Sequence, residues 1–234
     1  MSSWDLSQLR RSVERLYGRA QRIAISPSLD SIDQRRNYAS YHYHEAFRVM
    51  KDATCAHESD MELMMLIMGA IDDEASQEFK WASFQASAHI IACVQSMHTY
   101  SDLLAHSIYY AFGMNLYENP LKARQIGMNK VFQLLPSGEV KKQVSVLINH
   151  ADFSYLSAVT NHSKHRSIVE ATYSLDLTSD PVSSHGLKFS GFEYDGKTYS
   201  ERWVKSILES EYNRQAELVV RIGQAINAAV EVRN

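Results

Sequence analysis

The chain has 234 residues and a mass of 26.7 kDa, and 45% of its residues are hydrophobic, which is enough to fill a substantial core. Its formal net charge is −3, and this excludes the strong global basicity of a dedicated duplex-binding domain while leaving room for a local basic patch. Only four prolines and nine glycines occur, which indicates long helices joined by few turns.

Helical periodicity dominates the first half of the chain. Ser3 is a suitable N-cap for a first helix, and Pro27 marks the break after it. Apolar residues then recur at steps of three and four through three further segments, the last of which has no internal Pro or Gly. These predicted helices run from just after Asp30 to about Thr54, from Met61 to Ile71, and from about Ala75 to Gly113.

Two more helices precede a change of period near residue 170. One begins at Asn119-Pro120 and ends near Pro136, and the next runs from Glu139 to about Val159. The alternation then becomes that of a strand, and Asp195-Gly196 between two β-prone runs predicts a type I′ hairpin. The predicted β segments are Thr172–Leu177, Leu187–Tyr194 and Lys197–Tyr199, and a last helix follows from near Ser200 to Ala229.

These elements predict a mainly α protein, a helical bundle with a small β-hairpin insertion before the C-terminal helix. We expect a single domain over residues 1–234, with the insertion at about 170–199. Cys55 and Cys93 are too few for a disulfide framework and are expected to be buried thiols in a reducing compartment. No signal peptide is visible and no apolar run approaches the roughly 20 residues of a membrane span, so we expect a cytoplasmic protein without a membrane partner.

Three polar side chains share one face of the long helix, because His98, Asp102 and His106 recur every four residues. Two imidazoles and a carboxylate can ligate zinc, iron or manganese. The two histidines lie about 12 Å apart along the axis at 1.5 Å per residue, so only adjacent pairs could share an ion. The remaining ligands would come from another helix, including the histidines of the second one. The alternative is that all three side chains hydrogen-bond neighbouring helices.

A second cluster lies at a predicted helix end, where Asn161, Lys164, His165 and Arg166 fall within six residues. An imidazole can move the proton of a ribose 2′-hydroxyl or of a leaving group, and a guanidinium can neutralise charge on phosphate oxygens. The pattern therefore suits phosphodiester cleavage. Basic residues at a helix C-terminus also complement the helix dipole, which is the structural alternative.

These two segments, 98–106 and 161–166, resemble parts of the HEPN superfamily, all-helical proteins of prokaryotic defence and toxin–antitoxin systems. Many members are metal-independent endoribonucleases in which an Arg and a His, four to six residues apart, act across a dimer, and others are non-catalytic binding modules. The resemblance implies interaction with RNA, a homodimer and a protein partner of the antitoxin type. In this chain Arg36 and His42, on the second helix, have the Arg–His spacing.

The leading hypothesis is an HEPN-like RNA-interacting protein that acts as a metal-independent endoribonuclease and needs no cofactor. His165 would be the general acid/base, Arg166 and Lys164 would hold phosphate, and Asn161 would orient the scissile group. One alternative is a helical bundle that binds a divalent transition metal through the long-helix triplet. The other is a non-catalytic interaction module whose histidines are structural. An exposed surface of methionines and aromatic residues is the expected dimer interface.

Overall fold

A computed structural model describes residues 3–57, 59–71, 73–176 and 184–232. Within these residues the chain is mainly α, and its small antiparallel β region lies directly before the C-terminal helix, which confirms the predicted fold class. The helices are α1 (Leu6–Tyr17), α2 (Arg19–Thr54), α3 (Asp60–Met68), α4 (Asp73–Ala111), α5 (Met128–Leu134), α6 (Glu139–Ile148), α7 (Ala151–His165) and α8 (Val204–Glu231). The strands are β1 (Ala171–Asp176), β2 (Ser184–Phe189), β3 (Phe192–Tyr194), β4 (Lys197–Tyr199) and β5 (Arg202–Trp203).

The break between the first two helices is at Gly18, so its predicted position at Pro27 is wrong. Gly18 has φ 87°, a left-handed conformation that favours glycine, and its amide donates to the carbonyl of Glu14 to end α1. Pro27 instead lies inside α2 with its side chain exposed. Proline removes the hydrogen bond to the carbonyl four residues earlier and crowds that carbonyl, which belongs to Ile23, a residue that is exposed. The helix therefore continues through the proline.

Other helix boundaries also differ from the predicted ones. The N-cap of α1 is Asp5, whose carboxylate accepts a hydrogen bond from the Gln8 amide, in place of Ser3. The helix expected from Pro120 begins at Met128, after a short 3₁₀ turn. The helix expected over Glu139–Val159 is divided at Asn149 and His150 into α6 and α7.

The described chain forms two compact units, each assembled from separate segments. Unit 1 consists of Met1–Asn37, Met97–Ser154 and Glu211–Asn234, and unit 2 consists of Tyr38–Ser96 and Tyr155–Ser210. Long helices therefore contribute residues to both units. The core of unit 1 is formed mainly by helices and includes Leu104, Ile108, Ile222 and Ile226, all fully buried.

An aromatic side chain closes one side of this core. The Trp4 ring lies so close to Gly223 of α8 that a Cβ at residue 223 would overlap its atoms. The ring is fixed by its Nε1–H, which donates to Oδ1 of Asn227 at 3.2 Å. Glycine at this position thus lets the ring approach the helix backbone.

All the described strands lie in unit 2. β2 pairs antiparallel with β1 and with β5, and Leu187 and Phe189 of β2 are buried. β3 and β4 form the predicted hairpin, and its turn residues Asp195 and Gly196 have φ 51° and 71°, as a type I′ turn requires. Leu177, the predicted end of the first strand, lies outside the described residues.

The two cysteines have different environments. Cys93 is buried in α4, and this burial raises the pKa of its thiol to about 12, so it behaves as an apolar side chain. Cys55 follows the last turn of α2 and is exposed, so the prediction of a buried thiol is wrong there. Among the helices of the described ranges, none is long and apolar enough to cross a membrane.

Candidate functional site

The C-terminal end of α7 presents three cationic or protonatable side chains to solvent. Lys164, His165 and Arg166 are all exposed, and we call these three residues the α7 basic end. The Arg166 amide donates to the carbonyl of His162 at 2.9 Å, which extends the helical hydrogen bonding to the last member of the group. The helix dipole favours positive charge at this position.

The β3–β4 hairpin of the same unit supports the α7 basic end with aromatic rings. The guanidinium carbon of Arg166 lies 5.7 Å from the centroid of the Tyr194 ring, within cation–π range. The imidazole of His162 packs edge-on against Tyr194 and against Phe192, and Phe192 stacks on Tyr199 with centroids 4.8 Å apart. These contacts position Arg166 over a rigid aromatic cluster.

Asn161 and His162 occupy different positions at the end of α7. The Nδ1–H of His162 donates to the carbonyl of Ser167 at 2.7 Å, which fixes the tautomer of this imidazole and the turn that follows α7. Asn161 is half-buried one helical turn before His165, so the two side chains share a face of α7. The predicted set of Asn161, Lys164, His165 and Arg166 is therefore contiguous at one helix end.

The predicted metal set on α4 lies in unit 1. Nδ1 of His98 is 3.7 Å from Oδ2 of Asp102, so this adjacent pair faces each other as the spacing requires. The imidazole of His106 packs against the Tyr110 ring instead, and burial lowers the pKa of His106, with a smaller opposing effect of the Asp102 carboxylate. The triplet spreads along the helix, and its histidines have separate neighbours.

A histidine of the second helix does meet another histidine, in unit 2. Nδ1 of His42 on α2 lies 2.9 Å from Nδ1 of His89 on α4, a distance at which one ring donates and the other accepts. The Tyr41 ring packs edge-on against both imidazoles. Burial, and secondarily the proximity of His89, lowers the pKa of His42.

Within the described residues, one group brings three potential metal-ligating atoms within 4.8 Å of one another, and it consists of His150, Asp152 and Glu211 in unit 1. Both oxygens of the fully buried Glu211 carboxylate already accept hydrogen bonds from Arg214, each at 2.7 Å. Gln215 donates to Oε1 of the same carboxylate at 2.8 Å. The guanidinium supplies the positive charge that a metal ion would bring, so Glu211 and Arg214 form an ion pair of the core.

The same ion pair anchors the end of α6. Arg214 donates from Nη1 to the carbonyl of Val146 and from Nη2 to the carbonyl of Leu147, which belong to the last turn of that helix. Nδ1 of His150 accepts a hydrogen bond from the Asp152 amide at 3.3 Å and so caps the start of α7. Both contacts stabilise helix ends, and the second uses the Nδ1 lone pair of His150.

Sequence reasoning missed both the His42–His89 contact and the Glu211 ion pair. His42 stood out in a segment rich in Tyr and His, but its partner lies 47 residues away and no local pattern joins them. Glu211 belongs to no sequence motif and has no informative spacing to His150, so only the fold brings the two residues together.

Comparison of the chain with protein-family models, with characterised proteins and with solved structures finds no match.

Proposed function

We propose that this protein interacts with RNA through the α7 basic end and that it cleaves RNA there without a metal ion. The observation that carries the proposal is the position of Arg166 over Tyr194, beside exposed Lys164 and His165. Proteins that bind single-stranded nucleic acid combine cations, which contact the phosphates, with aromatic rings, which stack on the bases.

The surface is basic only locally. Lys197 adds a cation on the hairpin, whereas Glu193 and Asp195, also exposed there, add negative charge. Such a surface cannot hold a long duplex by electrostatic attraction alone, in agreement with the net charge of −3. A short single-stranded segment or a loop is the substrate class that fits it, because few phosphates need to be neutralised and unpaired bases can stack.

The proposed cleavage is transphosphorylation within the RNA strand. The ribose 2′-oxygen forms a bond to the adjacent phosphorus, the bond from phosphorus to the 5′-oxygen breaks, and a 2′,3′-cyclic phosphate and a 5′-hydroxyl result. His165 moves one of the two protons involved, from the 2′-hydroxyl or to the departing 5′-oxygen, and solvent water moves the other. Arg166 and Lys164 stabilise the charge on the non-bridging oxygens, and Asn161 orients the scissile group.

Binding is tested separately from cleavage with a short single-stranded RNA whose riboses are 2′-O-methylated, since such a strand lacks the attacking hydroxyl. Fluorescence anisotropy is measured over a range of salt concentrations for the wild type and for Lys164→Ala/His165→Ala/Arg166→Ala. We expect the triple variant to bind at least about tenfold more weakly. We also expect its slope of log K against log salt to fall by about 1.4, or about 0.7 for each of its two permanent cations.

A matched control removes two exposed cations from unit 1, in the variant Arg124→Ala/Lys130→Ala. This control should bind like the wild type. Equal weakening by both variants would indicate non-specific attraction by surface charge and would contradict a site at the α7 basic end.

We also propose a homodimer, which an exposed aromatic pair on α4 supports. The rings of Trp81 and Phe84 stack on each other with centroids 5.3 Å apart, and both side chains are more than half exposed, at 61% and 63%. Exposed apolar side chains that adjoin each other are typical of interfaces. A protein partner of the antitoxin type remains a prediction. We expect such a partner to compete with the second protomer for the surface at Trp81 and Phe84.

Light scattering coupled to gel filtration tests the dimer. We expect the wild type to elute with twice the 26.7 kDa mass of one chain, and Trp81→Ala/Phe84→Ala to elute with the mass of one chain. The exposed apolar Ile23 provides a control, Ile23→Ala, that should stay dimeric. A wild type with the mass of a single chain would refute the dimer.

A further inference from the structure

The His42–His89 pair has the geometry of two adjacent ligands of a transition-metal ion. Two imidazole nitrogens that each lie about 2.0–2.1 Å from one ion are about 2.9 Å apart when the angle at the ion is a right angle, and about 3.4 Å apart when it is tetrahedral. The observed distance between the two Nδ1 atoms is 2.9 Å. This is the length of the hydrogen bond that the rings now share, and it is also the separation of neighbouring ligands in a square-planar or tetragonal site, so such an ion needs no change in the distance between the two nitrogens.

We propose that His42 and His89 bind one divalent ion of the tetragonal type, Cu²⁺ or Ni²⁺, through their Nδ1 atoms. Imidazole ligands in square-planar geometry are typical of these two ions. The ion replaces the proton now shared between the rings, and that proton moves to Nε2 of the same ring, so both imidazoles remain neutral. Solvent supplies the remaining ligands, since both side chains are only half-buried.

The surroundings of the pair support a cation. His42 and His89 are held by different helices, α2 and α4, and the ring centroids lie 5.2 Å apart, so the fold brings the two donors together before any ion binds. The carboxylate of Glu45, one turn after His42 on α2, interacts electrostatically with His89. Arg48 donates two hydrogen bonds to Glu45, and both go to Oε2. Oε1 can therefore accept a hydrogen bond from a metal-bound water.

This site is independent of the proposed action on RNA, which requires no metal.

The test is titration of the metal-free full-length protein with Cu²⁺, followed by calorimetry and by electron paramagnetic resonance. We expect one tight equivalent whose spectrum is tetragonal and shows hyperfine splitting from two nitrogens. His42→Ala and His89→Ala should each weaken this equivalent by at least about tenfold, since each leaves a single imidazole. The controls are His44→Ala, which removes an exposed histidine two residues from His42, and His150→Ala, which removes a histidine whose Nδ1 lies 3.6 Å from the Glu211 carboxylate, and both should keep it.

Tight binding that survives both His42→Ala and His89→Ala, or that His150→Ala removes, would overturn the proposal. Circular dichroism verifies that each variant is folded. If a variant unfolds, NMR of the wild type still tests the site, because bound Cu²⁺ selectively broadens the signals of nearby rings. Broadening of the His42 and His89 ring signals at substoichiometric Cu²⁺ supports the site, and broadening confined to other histidines refutes it.

Discussion

Arg214→Ala is expected to lower the free energy of unfolding by about 3–5 kcal/mol, the cost typical of removing one partner of a buried ion pair. The Glu211 carboxylate is fully buried, and Arg214 donates to both of its oxygens. Without the guanidinium, the negative charge would stay in the core with one remaining donor, Gln215. The carbonyls of Val146 and Leu147 at the end of α6 would lose their donors as well.

Urea unfolding followed by far-ultraviolet circular dichroism measures this effect. Arg221→Ala is a matched control, because Arg221 lies on the same helix and pairs with Glu217 at 3.5 Å, four residues away, but both side chains are largely exposed. The control should change the stability by less than about 0.5 kcal/mol. A loss of less than about 1 kcal/mol in Arg214→Ala would contradict the assignment of this pair as a buried structural element.

A double variant separates the charge from the packing. Glu211→Leu/Arg214→Met removes both charges and keeps comparable apolar volume, so we expect it to be clearly more stable than Arg214→Ala. If the double variant is as unstable as Arg214→Ala, the loss comes from the capping bonds to α6. If it recovers most of the stability, the loss comes from the unpaired charge of Glu211.

The type and order of the elements could be predicted because they depend on short-range pattern. Steps of three and four between apolar residues identified α4 and α8, and these residues are indeed the buried ones, among them Leu104, Ile108, Ile222 and Ile226. The Asp195-Gly196 turn was predictable because the positive φ of both residues follows from the type of turn.

Helix boundaries were harder to predict because they depend on which side of a helix faces solvent. Proline removes the hydrogen bond to the carbonyl four residues earlier, and in α2 that residue is the exposed Ile23, where the helix tolerates the loss. The division between α6 and α7 is made by two nonhelical residues, Asn149 and His150, and by the capping contact of His150, neither of which interrupts the apolar pattern. The apolar pattern therefore predicts neither the continuation of α2 through Pro27 nor the division between α6 and α7.

The candidate sites divide in the same way. The α7 basic end could be recognised from the sequence because its residues are consecutive. The His42–His89 contact joins residues 47 positions apart, and Glu211 lies 61 positions from His150. Contacts of this kind depend on how helices pack, so single-sequence reasoning has no signal for them.

His165→Ala is expected to abolish RNA cleavage, with a loss of about 10²–10⁴-fold, the usual contribution of a general acid or base. The side chain is exposed at the end of α7, so its truncation removes the imidazole without opening a cavity in the core. RNA binding should persist, because Lys164 and Arg166 still contact phosphate. His165→Gln, which keeps a polar side chain but cannot transfer a proton in the same way, should be as inactive as His165→Ala.

The measurement that tests the proposed function most directly is the cleavage of a mixed pool of single-stranded RNA in excess EDTA. The wild type, His165→Ala and the control His44→Ala, which removes another exposed histidine of the same unit, are compared at equal concentration. We predict cleavage by the wild type and by His44→Ala, products that end in 2′,3′-cyclic phosphate, and no cleavage by His165→Ala. Intact RNA with all three proteins, or equal cleavage by all three, would contradict a metal-independent ribonuclease at the α7 basic end.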